Sequence, residues 1–146
     1  CSSDLTEYRE LTYETQAYNE LLPIAQDIKR LVAESCIQQG VLYIITKHTT
    51  TGITVNENLE CLKDDILQRL GMLFPEDDAY YHARFLQSYG AMAGNPTGHL
   101  KAMVTGNHAV FPIVDGAIML GKAQEIYLAE FDGPQIRDVM VTIQGE

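Results

Sequence analysis

The sequence predicts an α+β fold, a single domain of residues 1–146 with mostly antiparallel β-sheets layered with two main helices. The length of 146 residues suits one domain with its own core. Two segments repeat apolar residues at the three- and four-residue spacing of an amphipathic helix. Most of the remainder consists of short apolar or alternating runs separated by Gly, Pro, Asn and Asp, which is typical of strands and turns. The order of these segments favours antiparallel pairing.

The first half of the chain supplies both helices. Residues 5–17 alternate as a strand does, and "VLYIIT" (41–46) and "ITVN" (53–56) are further strands. We expect the first helix to open at Asn19 or Glu20, with Pro23 in its first turn, and to close at Gly40. Leu59 to Leu73 forms the second helix, which stops before Pro75.

The second half is predicted to be mainly strands. Residues 75–98 form a long connection with a short helix at 83–89, and such connections are often functional. "GNPTG" (94–98) has no predicted helix after it, so it offers at most a small nest of backbone N–H groups. Strands follow at 99–105, 108–114, 117–120, 125–131 and 138–144, with a hairpin turn at Asp115-Gly116.

Charge and cysteine content exclude some classes of function. Twenty acidic and ten basic residues give a net charge of −10, which disfavours nucleic acid and anionic membrane as partners but allows a small anion at a local cationic spot. No apolar run approaches a membrane span. The three cysteines contain no CxxC, so a cytoplasmic location fits, with Cys36 and Cys61 as small apolar helix residues. The start at Cys1 suggests a trimmed N-terminus rather than a lipoprotein end.

The histidines are the main candidates for chemistry. His48 follows a buried strand, His82 lies in the long connection, and His99 opens the predicted strand 99–105. On that strand His99 and Lys101 would share one face, which would place an imidazole beside a cation. Imidazole is a good ligand for zinc and similar metals, and Glu57 would add a carboxylate as ligand or general base.

The same residues also fit a purely structural role. A single histidine at a strand end is commonly a hydrogen-bonded structural residue, and no HExxH or GxSxG motif occurs. The "TTT" run fits a β-branched strand, and Asn56 and Asn58 fit a turn or helix cap. Composition and spacing alone therefore indicate a polar pocket with a metal as an option.

Three motifs in order resemble the YjbQ family, also described as secondary thiamine-phosphate synthases. They are "HTTTGITVNEN" (48–58), "GN" with "HLKA" (94–95 and 99–102), and "EIYLAEFDGP" (125–134), and the resemblance covers nearly the whole chain. It implies a YjbQ-like α+β fold and a homotrimer with pockets between subunits. It also implies an activity that joins an aminopyrimidine diphosphate to a thiazole phosphate, giving thiamine phosphate and pyrophosphate.

The resemblance also suggests roles for residues at the motif positions. It implies a histidine-lined cleft for a phosphorylated small molecule, with a divalent metal, zinc or magnesium, as an option. We assign catalysis to Glu57, Lys101 and His99, and metal binding to His48, His82 and His99. Substrate contacts are assigned to the remaining motif positions Thr49, Thr50, Asn56, Asn95 and Gln124, and Asp132 also matches the family pattern.

Three positions depart from the family pattern. Thr51 replaces an alanine, Ala123 replaces a tryptophan, and Gln135 replaces an arginine, with Arg137 two places on. These changes bear on the size of the pocket and its affinity for anions. The alternative to an enzyme is therefore a non-catalytic trimer that binds a metal or a phosphometabolite.

Overall fold

The structure is a computed structural model that describes residues 5–81 and 95–146. Within these residues the fold comprises eight strands and three helices. In chain order they are β1 (Leu5–Glu14), β2 (Glu20–Pro23), α1 (Ala25–Ser35), β3 (Gln39–Thr46), β4 (Thr51–Glu57), α2 (Glu60–Leu73), α3 (Pro96–Thr105), β5 (His108–Val114), β6 (Ala117–Ile118), β7 (Gln124–Glu130) and β8 (Ile136–Gly145). No helix among these residues is both long enough and apolar enough to cross a membrane.

The strands form two antiparallel sheets. The larger sheet has the order β1-β8-β3-β5-β6, and the smaller has the order β2-β7-β4. Every pairing is antiparallel, including the ten-residue register of β1 with β8. The α+β class with antiparallel sheets, predicted from the sequence, is confirmed.

The main hydrophobic core lies between the larger sheet, helix α1 and one face of the smaller sheet. Strand alternation supplies it: Leu42 and Ile44 of β3 and Val141 and Ile143 of β8 are fully buried. Helix α1 adds its apolar stripe, of which Ile28 is completely inaccessible.

The opposite face of the smaller sheet carries a second core. Tyr127, Ala129 and Phe131 point to this side of β7 and pack with Ala102 of α3. Helix α2 covers the cluster only in part, through Ile66, Leu67 and Leu70, and none of its residues is fully buried. Strand β7 is therefore covered on both faces, which explains why residues 126–130 are all buried.

The first helix begins later than the sequence predicts. Glu20–Pro23 is strand β2 at the edge of the smaller sheet, paired with β7, and the helix runs from Ala25 to Ser35. Proline is tolerated in an edge strand as well as in the first turn of a helix, so Pro23 did not distinguish a strand from a helix at this position. The helix is closed by Cys36 in the left-handed conformation, at φ 62°, while Gly40 belongs to β3.

The cysteines differ from expectation in their surroundings. Cys36 lies just beyond α1 rather than within it, and Cys36 and Cys61 are both exposed. Cys61 lies in α2, so its predicted place in a helix is confirmed, whereas Cys36 lies outside a helix.

The predicted strand 99–105 is wrong. Pro96–Thr105 is helix α3, preceded by Asn95 and with Pro96 at its first position, where proline suits a helix. Its buried residues are Thr97, Gly98, Lys101 and Ala102, a helical spacing. A helix therefore begins within "GNPTG" (94–98), at Pro96. The short helix predicted at 83–89 lies outside the described residues.

Candidate functional site

A polar cleft of about 490 Å³ lies where the end of β3, the start of α3 and the start of β8 meet. The turn between β3 and β4 lines this cleft. His48 lies in this turn, directly after the buried strand β3, as the sequence predicts. The side chains that line the cleft are Lys47, His48, Thr49, Thr50, Asn95, His99, Asp132, Gln135 and Arg137. Five of these, His48, Thr49, Thr50, Asn95 and His99, are predicted site residues that the fold brings together.

A buried ion pair forms one wall of the cleft. The carboxylate of Glu130 is fully buried and accepts hydrogen bonds from Arg137 Nε at 2.8 Å and Nη2 at 2.6 Å. Thr15 Oγ1 donates to it at 2.7 Å, and the Asp132 backbone N–H donates at 3.0 Å. Burial raises the pKa of Glu130, but these donors outweigh burial and lower the pKa overall.

The same guanidinium is tied to the β3–β4 turn. Arg137 Nη2 also donates to Thr50 Oγ1 at 2.8 Å. Nε and Nη2 thus have acceptors, whereas no hydrogen bond joins Nη1 to any residue in the described ranges. Arg137 is 7% exposed and lines the cleft, so the cation is held rigidly at its wall.

His48 is oriented by the backbone of β8. The Asp138 N–H donates to His48 Nε2 at 2.9 Å. Burial lowers the pKa of His48, and the nearby positive charge of Arg137 lowers the pKa further. The imidazole is therefore neutral near pH 7.

Another part of the cleft lining is a chain of polar side chains. Asn95 Nδ2 donates to Asp132 Oδ2 at 2.7 Å, and Asn95 Oδ1 lies 3.2 Å from His99 Nε2. Because the carboxylate fixes the direction of the Asn95 amide, Oδ1 is an acceptor and His99 Nε2 donates to it. Asp132 therefore orients His99 through Asn95.

Lys101 does not line the cleft. On a helix, residues two apart lie about 200° apart around the axis, so the predicted shared face with His99 is wrong. The Lys101 side chain is 4% exposed, and Nζ lies 3.9 Å from Glu76 Oε1, which also accepts from Thr97 Oγ1 at 2.7 Å. Burial lowers the pKa of Lys101, and Glu76 opposes that shift.

Three other predicted site residues lie at the far end of the smaller sheet. Glu57 pairs with Gln124, with Asn56 beside it, whereas Thr51 pairs with Glu130 next to the cleft. Six residues of strand separate these two ends by about 20 Å. Within one chain, Asn56, Glu57 and Gln124 are therefore remote from the cleft.

Gly52 and Thr51 have packing roles. A Cβ on Gly52 would lie 2.7 Å from Thr105 Cγ2 and 2.8 Å from the Gly106 oxygen, so this glycine allows β4 to contact the end of α3. Thr51 is buried, and its hydroxyl lies 2.6 Å from the Thr46 hydroxyl, which satisfies both groups.

The described residues do not assemble a metal centre. Across 5–81 and 95–146, no group of three His, Cys, Asp or Glu side chains could hold an ion. His48 Nε2 already accepts a backbone hydrogen bond, and His82 lies outside the described residues. A zinc or magnesium site that includes His82 stays a prediction.

Sequence reasoning missed the strongest polar feature of the site. Glu130, Arg137 and Thr15 were not predicted as site residues, and Asp132 was noted only as a motif match. The available signal was the alternation of β7, which puts Glu130 on the same face as Ile126 and Leu128, where an apolar residue is expected. A carboxylate at such a position requires a buried partner.

A second cavity adjoins the cleft. It has a volume of about 500 Å³ and is lined by Tyr80, Tyr81, Pro96, His99 and Leu100. His99 lines both spaces, so a ligand in the polar cleft could extend an apolar or aromatic part toward the tyrosines.

Known proteins resemble this chain over most of its length. A UPF0047 protein of Archaeoglobus fulgidus is 36% identical over 132 residues, covering 90% of this chain and 97% of the relative. The UPF0047 protein YugU of Bacillus subtilis is 31% identical, covering 92% of this chain and 97% of its own length.

Solved structures agree with the fold. The crystal structure of a YbjQ-like protein of unknown function from Sulfolobus solfataricus matches with a TM-score of 0.89 at 28% identity, covering 98% of this chain and 99% of that one. An uncharacterised YjbQ/UPF0047 protein from Clostridium acetobutylicum matches with a TM-score of 0.83 at 34% identity, covering 92% and 98%.

The family pattern described as UPF0047 protein YjbQ-like matches residues 9–146. Of the eleven strands and helices in the described part of the chain, this range lacks only the first four residues of β1. The resemblance predicted from three short motifs is therefore confirmed over nearly the full sequence, and the chain belongs to the YjbQ-like UPF0047 family, a family of unknown function.

Proposed function

We propose that the chain is a small-molecule enzyme that binds a phosphorylated substrate in the polar cleft. The observation that carries the proposal is Arg137, which lines the cleft and whose buried guanidinium is fixed by Glu130 and Thr50 through Nε and Nη2. A rigid guanidinium suits phosphate oxygens, and Lys47 lines the same space.

The reaction that we propose is the one implied by the resemblance to secondary thiamine-phosphate synthases. The bond between an aminopyrimidine and its diphosphate breaks while a bond to a thiazole phosphate forms, so the electron pair leaves with pyrophosphate. A fixed cation stabilises charge that develops on the leaving group. The adjoining tyrosine-lined cavity supports this choice, because the substrates carry aromatic rings beside their phosphates.

His99 is the residue that we assign to catalysis in the cleft. It lies between the polar cleft and the tyrosine-lined cavity, and Asp132 orients it through Asn95. A ring held at this junction contacts the position where the two substrate parts would meet. It would position the reacting groups, a contribution that depends on rigid placement.

We also propose a homotrimer with pockets between subunits. Helix α2 has no fully buried residue. Met72 and Leu73 at its end and Leu59 just before its start are exposed, which supports contact with another copy. In such an assembly Asn56, Glu57 and Gln124 would serve the cleft of a second subunit, which would account for their distance from the cleft of their own chain.

The second candidate function is a non-catalytic trimer that binds a phosphometabolite or a metal. The net charge of −10 favours it, as does Gln135, which places an amide in the cleft lining where the family pattern has arginine. This alternative predicts ligand binding without turnover.

The test is an assay of pyrophosphate release from the paired aminopyrimidine diphosphate and thiazole phosphate. The parent protein should turn over, His99→Ala should lose the activity, and His108→Ala should retain it. His108 is a matched control because it is exposed and hydrogen-bonded to its neighbour Asn107, outside the cleft. A parent rate no higher than that of His99→Ala would refute the enzyme and favour the binding protein.

A further inference from the structure

The hydrogen bond to His48 determines which ring nitrogen carries its proton. A backbone N–H is a donor only, and the Asp138 N–H lies 2.9 Å from His48 Nε2. Nε2 must therefore be the unprotonated, accepting nitrogen, and a neutral ring must carry its proton on Nδ1. His48 Nδ1 has no hydrogen-bond partner among the described residues, although the ring lines the cleft.

This tautomer does not suit a metal ligand. Nε2 uses its lone pair on the Asp138 amide, and Nδ1 holds a proton. To bind a metal, the ring would have to break the backbone hydrogen bond at Nε2 or lose its single N–H proton from Nδ1. The same ring is well placed as a neutral hydrogen-bond donor.

Two further donors lie beside it. Arg137 Nη1 makes no hydrogen bond to a residue in the described ranges. Thr50 Oγ1 accepts from Arg137 Nη2 at 2.8 Å, which leaves the hydroxyl proton of Thr50 for another acceptor. Thr50 is 4% exposed and also lines the cleft, so this hydroxyl is nearly removed from bulk water.

The three groups are held together by β8. Arg137 and Asp138 are adjacent at the start of the strand, and one donates to Thr50 while the other donates to His48. Both contacts reach the turn between β3 and β4. The donors are therefore fixed to one another before any ligand arrives, which limits the entropy lost on binding.

We propose that His48, Thr50 and Arg137 form an oxyanion subsite for a phosphoryl group, with His48 as a neutral Nδ1–H donor rather than a metal ligand. The inference rests on the proposed function in assigning a phosphorylated ligand to the cleft, and it names the end of the cleft that holds the phosphate. A phosphoryl group offers several acceptor oxygens and no donors, which matches three donors of this kind. The carboxylate of Asp132, which also lines the cleft, would repel a phosphoryl group, so the uncharged remainder of the ligand lies toward Asp132 and His99.

The experiment is nitrogen NMR of protein labelled with ¹⁵N-histidine, titrated first with inorganic pyrophosphate and then, in a separate sample, with zinc. The His48 signals are assigned by their loss in His48→Gln. We expect a protonated Nδ1 and an unprotonated Nε2 before any addition. Pyrophosphate should shift the Nδ1 signal, and zinc should leave both His48 nitrogens unchanged.

Two variants test the neighbouring donors. Thr50→Val removes the hydroxyl at nearly constant shape and should weaken pyrophosphate binding about tenfold, the loss expected for one hydrogen bond to a charged group. If this variant does not fold, Arg137→Lys replaces it, because lysine keeps the charge beside Glu130 and loses the planar fork. His108→Ala should bind as the parent does.

The outcomes separate this inference from the proposed function. A proton on Nε2, coordination of zinc by His48, or a pyrophosphate titration that leaves Nδ1 unmoved would each overturn the subsite. The expected shift of Nδ1 together with absent turnover would keep the subsite and refute the enzyme.

Discussion

Glu130 is the residue on which the cleft depends most. It occupies an apolar position of the β7 alternation and is fully buried, yet its carboxylate accepts two bonds from Arg137 and one each from Thr15 and Asp132. A buried charge is tolerated only with such partners. The pair also holds Arg137 in the orientation that lines the cleft, so one contact serves both stability and recognition.

Removing one charge of this pair should be costly. Glu130→Gln leaves Arg137 buried without a counter-charge, so we expect a loss of about 3–5 kcal/mol in the free energy of unfolding. Urea denaturation followed by circular dichroism measures this loss. The control is Glu34→Gln, whose ion pair with Arg30 is long, at 3.8 Å, and exposed. That variant should change stability by less than about 0.5 kcal/mol. Equal effects of the two substitutions would contradict the role given to Glu130.

The same carboxylate predicts a pH dependence. The pKa of Glu130 is lower in the folded protein than its ordinary value of 4.5, so the unfolded chain binds the proton more readily. The stabilisation is therefore complete above pH 4.5 and is lost as the pH falls through the folded pKa. Below pH 4.5, denaturation curves of Glu130→Gln should show a shallower fall in stability than the parent. Parallel curves for the two proteins in that range would count against the assignment.

Helix α3 is the element that places the site residues and the one that the sequence predicted least well. Thr97, Gly98 and Lys101 break the apolar stripe of an amphipathic helix, because they pack against strand ends and Glu76 rather than a purely apolar core. Local periodicity carries no information on such tertiary partners.

Strand β2 shows the same limit. It pairs with β7, about a hundred residues away in sequence, and its four residues hold no alternation long enough to be recognised. The longer strands and α2 repeat their patterns over more residues, and their predictions were confirmed. For the site, motif residues predicted five members of the cleft lining. The contacts that complete the buried ion pair, from Thr15 to Glu130 and from Arg137 to Thr50, join residues about a hundred positions apart and could not be deduced from local pattern.

Gly98 allows α3 to approach the end of β7 closely. A Cβ there would lie 2.8 Å from the Phe131 oxygen and 3.2 Å from Thr50 Cγ2. Gly98→Ala should therefore destabilise the protein by about 1–3 kcal/mol and weaken ligand binding, because Asn95 and His99 move with this helical turn. Thermal denaturation and pyrophosphate titration measure the two effects.

The matched control is Gly71→Ala in α2. A Cβ at Gly71 meets nothing within 4 Å, so alanine should raise stability by up to about 1 kcal/mol through helix propensity. If the Gly98→Ala protein were as stable as the parent, α3 could move away from Phe131 and Thr50 at no cost. That result would contradict the close packing described for Gly98.

At the scale of the whole molecule, the larger sheet and α1 enclose the main core while α2 and α3 cover the smaller sheet. The cleft lies at the end of this arrangement, where strands from both sheets meet α3. The acidic surface, with a net charge of −10, makes phosphate binding depend on the few cations in the cleft rather than on a general field.

The proposed homotrimer is tested by light scattering on size-exclusion chromatography. The parent should elute with the mass of three chains, and Leu73→Lys on the exposed face of α2 should shift the population toward monomer, because a charge would be buried at the contact. Lys122→Glu, outside α2, is the control for a change of surface charge. A monomeric parent would refute the trimer, and a trimeric Leu73→Lys protein would remove α2 from the interface.

Binding of a phosphoryl anion by Arg137 is the central claim, and isothermal titration calorimetry with inorganic pyrophosphate tests it most directly. The parent and His108→Ala should bind with equal affinity, and Arg137→Lys, checked for folding by circular dichroism, should bind about tenfold more weakly because it loses the Nη1 contact. No binding heat in the parent, or an Arg137→Lys protein that binds as tightly as the parent, would contradict the account.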